Sequence, residues 1–174
     1  MKRYAPLVGL ASSLLLIAAG PAEQPAAPIT FPTGYESTYT NYLSLDRVQN
    51  PDQVIRLFAN DTALAGPDAD GKLAFGSIIV AEVYKARKDA EGHVMESKLG
   101  RRIRDDLVLI AVMQRERGWG ADLPANLRNE HWDFAAFAPD GSLAKKDINA
   151  CRECHAPLTE THHLFSIEHL IPAH

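Results

Sequence analysis

Asp106-Leu-Val-Leu-Ile-Ala-Val-Met-Gln114 is an apolar run between polar ends, rich in β-branched and aliphatic side chains. A short run that is apolar at successive positions reads as a strand buried on both faces. Upstream, Ser77-Ile-Ile-Val-Ala-Glu-Val-Tyr-Lys85 is a second strand, and a charged hairpin arm from Arg87 to Arg104 connects the two. Downstream, His131-Trp-Asp-Phe-Ala-Ala-Phe-Ala138 is a third strand, closed by the turn Pro139-Asp140-Gly141. Residues 29–46 set Tyr35, Tyr39, Tyr42, Leu43 and Leu45 among Ser and Thr and read as extended. Pro51-Asp52 then opens a segment that the placing of Val54, Ile55 and Phe58 predicts to be a short amphipathic helix. Gly66 to Gly71 is turn-rich and reads as a loop.

From Ser142 the pattern turns helical, with Asp147 as a cap or first-turn acid and an end near Pro157. A last short helix over Thr161 to Ile171 would pack Leu164, Phe165, Ile167 and Leu170. The expected fold is α+β, a mainly antiparallel sheet with flanking terminal helices.

The chain has 174 residues, room for one domain, and 46% hydrophobic residues, enough for a core. Its net charge is −4. An acidic surface argues against nucleic acid or an anionic membrane as partner. Lys2 and Arg3, the apolar run Leu7 to Ala19, and the small residues around Gly20-Pro21-Ala22 have the layout of a secretory signal peptide, residues 1–22. The run is short for a spanning helix, which needs about 20 residues; an uncleaved anchor is the alternative. Residues 23–30, rich in Ala and Pro, read as a flexible leader, which leaves 31–174 as the folded domain. The expected location is the periplasm, with no membrane segment in the mature form.

The only two cysteines fall in Cys151-Arg152-Glu153-Cys154-His155, a C-x-x-C-H run on the C-terminal helix. Two thiols three residues apart on one helical turn can each add to a vinyl group of one porphyrin. The next imidazole is then placed under the iron, and neutral His is a good axial ligand. The motif predicts one covalently bound haem c, held by Cys151 and Cys154 and ligated through His155. A thioredoxin-like dithiol would need a βαβ context, and a zinc site would need further ligands; neither is present in the pattern. Small electron-carrier cytochromes c place this motif early and use a later Met as sixth ligand. Here no Met follows His155. Met95 and Met113 are the upstream candidates, and His162, His163, His169 and His174 form a cluster from which a sixth ligand could come.

Taken in order, several pieces of the chain resemble the cytochrome P-460 family, which includes the cytochromes c′-beta. These are Phe31-Pro32-Thr33-Gly34-Tyr35, Gly76-Ser77-Ile78-Ile79-Val80-Ala81-Glu82, Trp132 to Phe137, Cys151 to His155, and Thr161-His162-His163-Leu164-Phe165. The resemblance implies an antiparallel β fold, a homodimer, and a five-coordinate haem with one side of the iron open. The family's hydroxylamine-oxidising members carry a Lys, cross-linked to the porphyrin edge, just before the Glu of the central strand. Here that position is Ala81. Lys85 shares the strand face but lies roughly 13 Å further along.

The resemblance implies that Phe75, Ser77, Ile79, Ala81 and Val83 present a largely apolar wall beside the haem; the plain alternative for each is sheet core. The function that follows is binding of a small gaseous ligand, nitric oxide or carbon monoxide, with a periplasmic redox partner as a further possibility. Oxidation of hydroxylamine or nitric oxide, and six-coordinate electron transfer, are the alternatives.

Overall fold

The computed structural model describes residues 29–68 and 72–170. The signal-peptide segment, most of the leader, Ile171 and His174 lie outside them. Five strands form one antiparallel meander in the order β1-β2-β3-β4-β5: β1 (Thr40–Asp46), β2 (Gln53–Ala59), β3 (Ile78–Ala86), β4 (Arg104–Arg115) and β5 (Trp132–Phe137). Among the described residues four short α-helices accompany it: α1 (Tyr35–Thr38), α2 (Asp61–Leu64), α3 (Ile148–His155) and α4 (Ile167–Leu170). The α+β class is as the sequence indicates. Among the described residues no helix is long and apolar enough to cross a membrane.

Residues 53–59 are strand β2, not a helix. Val54 and Phe58 are buried on one sheet face, while Ile55 and Leu57 look out from the other. A strand paired on both edges and apolar on both faces loses the period-2 signature, and its apolar positions then imitate a helical stripe. Likewise residues 142–147 continue as extended chain: Leu143 bridges Phe137, and Ala144 N–H donates to the Ala136 carbonyl. The helix starts only at Ile148, where the Asp147 carboxylate caps it by accepting from Asn149 N–H at 3.0 Å. Within the extended 29–46 segment, α1 interrupts before β1 begins. The charged arm is a ladder of single bridges, Lys88 to Val94 and Glu96 to Arg102.

The two faces of the sheet are built differently. One is closed by Tyr35, Phe58, Val80, Ile110, Val112 and Phe137, with Ile29 and Phe31 laid over them. The aromatic rings there meet edge to face, Phe31 on Phe137 and Tyr35 on Phe58, each pair with centroids 5.4 Å apart. Gly141, at φ +82°, ends the turn after β5; a Cβ there would stand 3.1 Å from the Phe31 ring. Into this face β3 sends a buried carboxylate, Glu82. It accepts from Tyr35 Oη at 2.9 Å, Tyr84 Oη at 2.8 Å and Arg56 Nη1 at 3.2 Å, so the burial of its charge is compensated.

The opposite face is layered in rows set by the strand register. The first row, Ala59, Ile79, Met113 and Phe134, is covered by the C-terminal segment through Leu164, Ile167 and Leu170. A register shift in β1 frees Tyr42 to pack there and to share a 2.9 Å hydrogen bond with Ser166; burial pushes its phenol up to about 12. The second row crosses all five strands as Leu43, Leu57, Ala81, Ala111 and Ala136. The third is Leu45, Ile55, Val83 and Leu109.

Candidate functional site

Helix α3 carries Cys151, Cys154 and His155 and lies against β5 and the turn Ala125–Leu127. None of its side chains is fully buried. Polar ties hold it instead. The Arg152 guanidinium grips Asp133 of β5 with both Nε and Nη2 at 2.9 Å, and Asn129 Nδ2 donates to the Arg152 carbonyl at 3.2 Å. Positions i and i+3 of a helix are surface neighbours, so the two thiols sit side by side. Both are free, Cys151 half-buried and Cys154 exposed; burial pushes the Cys151 thiol up, which keeps it protonated.

The His155 ring packs between Phe134, with centroids 4.9 Å apart, and Phe165, at 5.0 Å. Its Nδ1 faces the His163 carbonyl at 2.6 Å. A carbonyl only accepts, so this hydrogen bond assigns the proton to Nδ1 and leaves a lone pair on Nε2. Burial moves the ring below the ordinary His value, against the opposing pull of that hydrogen bond, so it is neutral at pH 7. A neutral imidazole with its far nitrogen bonded to a carbonyl is the state of a metal-ligating histidine.

Phe134 belongs to the first row of the sheet face that also carries Ala81, so His155 and the second row share one side of the sheet. In that second row Leu43, Leu57, Ala81 and Ala111 are only half-buried, although β3 is the central strand. In the third, Leu45, Ile55 and Leu109 are half-buried as well. Contiguous apolar surface at the middle of a sheet marks a place where an apolar group is received. A cleft of about 400 Å³ adjoins it between β5 and α3, lined by Phe134, Ala136, Leu143, Ile148 and Arg152 with their neighbours.

Of the residues expected on the apolar wall, Ala81 and Val83 stand on this face. Ile79 is sealed in the first row with Met113 and Leu164. Ser77 is fully buried ahead of β3. Phe75 precedes β3, and the Arg115 and Arg117 guanidiniums stack on its ring, 4.5 and 4.7 Å from its centroid. Sequence reasoning missed Leu57, Ala111 and Ala136, which only the strand register brings beside Ala81. Three glutamates have partners of their own. Glu82 points to the other face, Glu116 accepts from Gln114 Nε2 at 3.0 Å, and Glu130 pairs with Lys72. Met113 is buried in the core, His163 lies on the Nδ1 side of His155, and His169 pairs with Glu168.

The family model for cytochrome P460 matches residues 32–166. The chain belongs to the cytochrome P460 family. No curated protein matches it. Cytochrome P460 proteins are haem proteins, and the residues present here fit that group. The side-by-side thiols, the neutral His155 with Nε2 unprotonated, and the half-open apolar rows supply attachment points, an axial donor and an apolar bed. Among the described residues no cluster of three or more His, Cys, Asp or Glu gathers as a site for a free metal ion.

Proposed function

We propose that this cytochrome P460 chain is an exported, periplasmic c-type haem protein that binds a small gaseous ligand such as nitric oxide or carbon monoxide. Residues 1–22 are the signal peptide, residues 31–174 the haem domain, and the working form is a homodimer. Cys151 and Cys154 carry one haem through thioether bonds, and His155 Nε2 is the protein's axial ligand. The haem supplies an iron with one remaining position for the gas. The chain's own residues do the rest. His155 donates as a neutral imidazole, Phe134 and Phe165 fix the plane of its ring, and the apolar rows exclude water from the bed.

The observation that carries this reading is the row Leu57, Ala81, Ala111 and Ala136. None of these side chains can ligate iron, donate a hydrogen bond, or move a proton, so the surface favours a small neutral ligand over an anion. Ala81 also lacks the amine that a Lys at this position would offer to the porphyrin edge. Absorption and resonance Raman spectra of the reduced, ligand-free protein test the reading. A five-coordinate ferrous haem that takes up carbon monoxide and resists acid-acetone extraction is expected. Substituting both Cys151 and Cys154 by Ala should free the haem. A low-spin, six-coordinate spectrum across neutral pH would leave an electron carrier instead. A porphyrin joined to Lys85 or another Lys would restore hydroxylamine oxidation.

A further inference from the structure

The end of α3 and the loop after it are tied by an unusual pair of hydrogen bonds. His155 Nδ1–H donates to the His163 carbonyl at 2.6 Å, and His163 Nδ1 lies 3.1 Å from the His155 carbonyl. Each histidine therefore contributes a ring nitrogen and a carbonyl to the other. Because it too faces a carbonyl, His163 Nδ1 must carry the proton. His163 Nε2, on the far side of the ring, is buried without a partner. The ring is 1% exposed. A buried polar atom without a partner is uncommon in a native fold.

The backbone is bent to deliver this arrangement. His162 and His163 both have positive φ, 54° and 60°. An L-residue other than glycine is strained there, and such strain persists only where the surroundings impose it. The His163 N–H donates to the Leu158 carbonyl at 2.7 Å, and Leu164 packs in the core. The left-handed turn is thus anchored on both sides. The His155 carbonyl is one of the acceptors that a helix C-terminus leaves without an intrahelical partner, and the His163 ring caps it together with Leu158 N–H at 3.0 Å.

We propose that His163 is a positioning residue for the axial histidine: its ring fixes its own carbonyl against His155 Nδ1–H, and so sets the rotation and basicity of the iron-bound imidazole. The inference rests on the reading of His155 as the iron ligand. A strong hydrogen bond at Nδ1 makes Nε2 a better donor, which stabilises ferric iron over ferrous and strengthens the iron–histidine bond. Release of the clamp should therefore raise the reduction potential and lower the iron–histidine stretching frequency.

The test uses the haem-loaded protein and two variants that both accept left-handed backbone. His163→Gly removes the ring donor. His163→Asn keeps an N–H donor on Cγ, where Nδ1 stood. The glycine variant should lose about tenfold in preferential ferric stabilisation, which for a one-electron couple is an upward shift of about 59 mV. Its iron–histidine Raman band should fall, and the asparagine variant should restore both readings. Unchanged potential and band in His163→Gly would overturn the proposal. A variant-free measurement covers a glycine variant that fails to fold. Nitrogen NMR of the unaltered ferrous carbon monoxide complex should show His163 as the Nδ1–H tautomer, and an Nε2–H tautomer would overturn the clamp. His155→Ala separates the two levels. If the iron–histidine band survives in it, the axial assignment itself fails; if the band is lost there but unmoved in His163→Gly, only the clamp fails.

Discussion

Replacing Arg152 by Met tests how the haem-motif helix is held. An eight-residue helix is too short to persist on its own, and α3 buries no side chain fully. Its attachment to the sheet depends on the Arg152–Asp133 fork, the Asn129 bond to the Arg152 carbonyl, and the rings around His155. Met keeps the apolar stem and removes the fork. The two side chains are 19% and 27% exposed. A pair so placed is stronger than a surface ion pair, but its loss falls short of the several kcal/mol of a fully buried one. Asp133 Oδ1 also keeps its 2.8 Å bond from Phe134 N–H, which limits the penalty on the orphaned carboxylate. About 1–2 kcal/mol is the expected cost, which favours opening of α3 by about 5–30-fold. Hydrogen exchange read by mass spectrometry, on protein prepared with and without haem, measures this directly. Peptides covering residues 148–156 should exchange faster by that factor without haem and less so with it, while β3 and β4 stay unchanged. Equal acceleration in α3, β3 and β4 would mean a global loss of stability and would refute the local tether.

Other consequences follow from the two sheet faces. Glu82→Gln cannot accept from Tyr35, Tyr84 and Arg56 at once and turns an N–H donor toward one of them; a loss of about 2–4 kcal/mol, read as a Tm lower by about 5–15 °C, is expected, and an unshifted Tm would count against the network. Burial and the Glu82 hydrogen bond raise the Tyr35 phenol far above its ordinary value. Its contribution is whole below about pH 10; above that the unfolded chain sheds a proton which the fold retains, and stability falls by about 1.4 kcal/mol per pH unit. Tyr35→Phe should lessen the alkaline slope by that amount in denaturant titrations at pH 10–12, with Tyr39, Tyr42 and Tyr84 supplying the remainder. Ala81→Phe should slow carbon monoxide association without affecting covalent haem attachment; overpacking can cost about 1–3 kcal/mol, so the melting curve is read alongside.

The strands β3, β4 and β5 were legible because their runs are long, branched and bounded by charges or turn residues. Strand β2 was not, since Val54, Ile55, Leu57 and Phe58 serve both faces of an inner strand and erase the alternation that reveals an outer one. The cysteine motif was legible because its geometry is local: three residues on one helical turn need no knowledge of the rest of the fold. The surface facing it was only partly so. Ala81 could be picked out by its position in a strand, but Ala111 and Ala136 join it only through register across three strands, and no period in the sequence records that pairing. Phe75 lies ahead of the strand's start at Ile78, in a turn where the Arg115 and Arg117 guanidiniums stack on its ring, and the alternation of a strand does not govern a turn. The clamp at His163 depends on two left-handed residues that are not glycine, a conformation which composition argues against.

Neighbouring residues of β3 show how a sheet can be both firm and open. Glu82 faces a side sealed by aromatic rings and by three donors to one buried carboxylate. That arrangement is directional: each partner fixes the others, and little can shift without breaking a charge-assisted bond. Ala81 faces a side where three alanines and two leucines lie in a row and the covering segment stops one row short. All of them but Ala136 are left half-exposed, and apolar surface contributes to stability only as it leaves water. A ligand-free chain with such a surface must therefore draw its stability from elsewhere, from the Glu82 face and from the first row beneath Leu164 and Leu170. The open row is then free to gain its burial from an occupant. On this argument the melting temperature of the unaltered chain should rise on loading haem. The gain should shrink when Ala81 or Ala111 is replaced by Ser, which keeps the volume nearly unchanged but makes the bed polar. Calorimetry of loaded and unloaded forms reads both numbers; an equal gain in the Ser variants would show that the occupant lies somewhere other than the row of alanines.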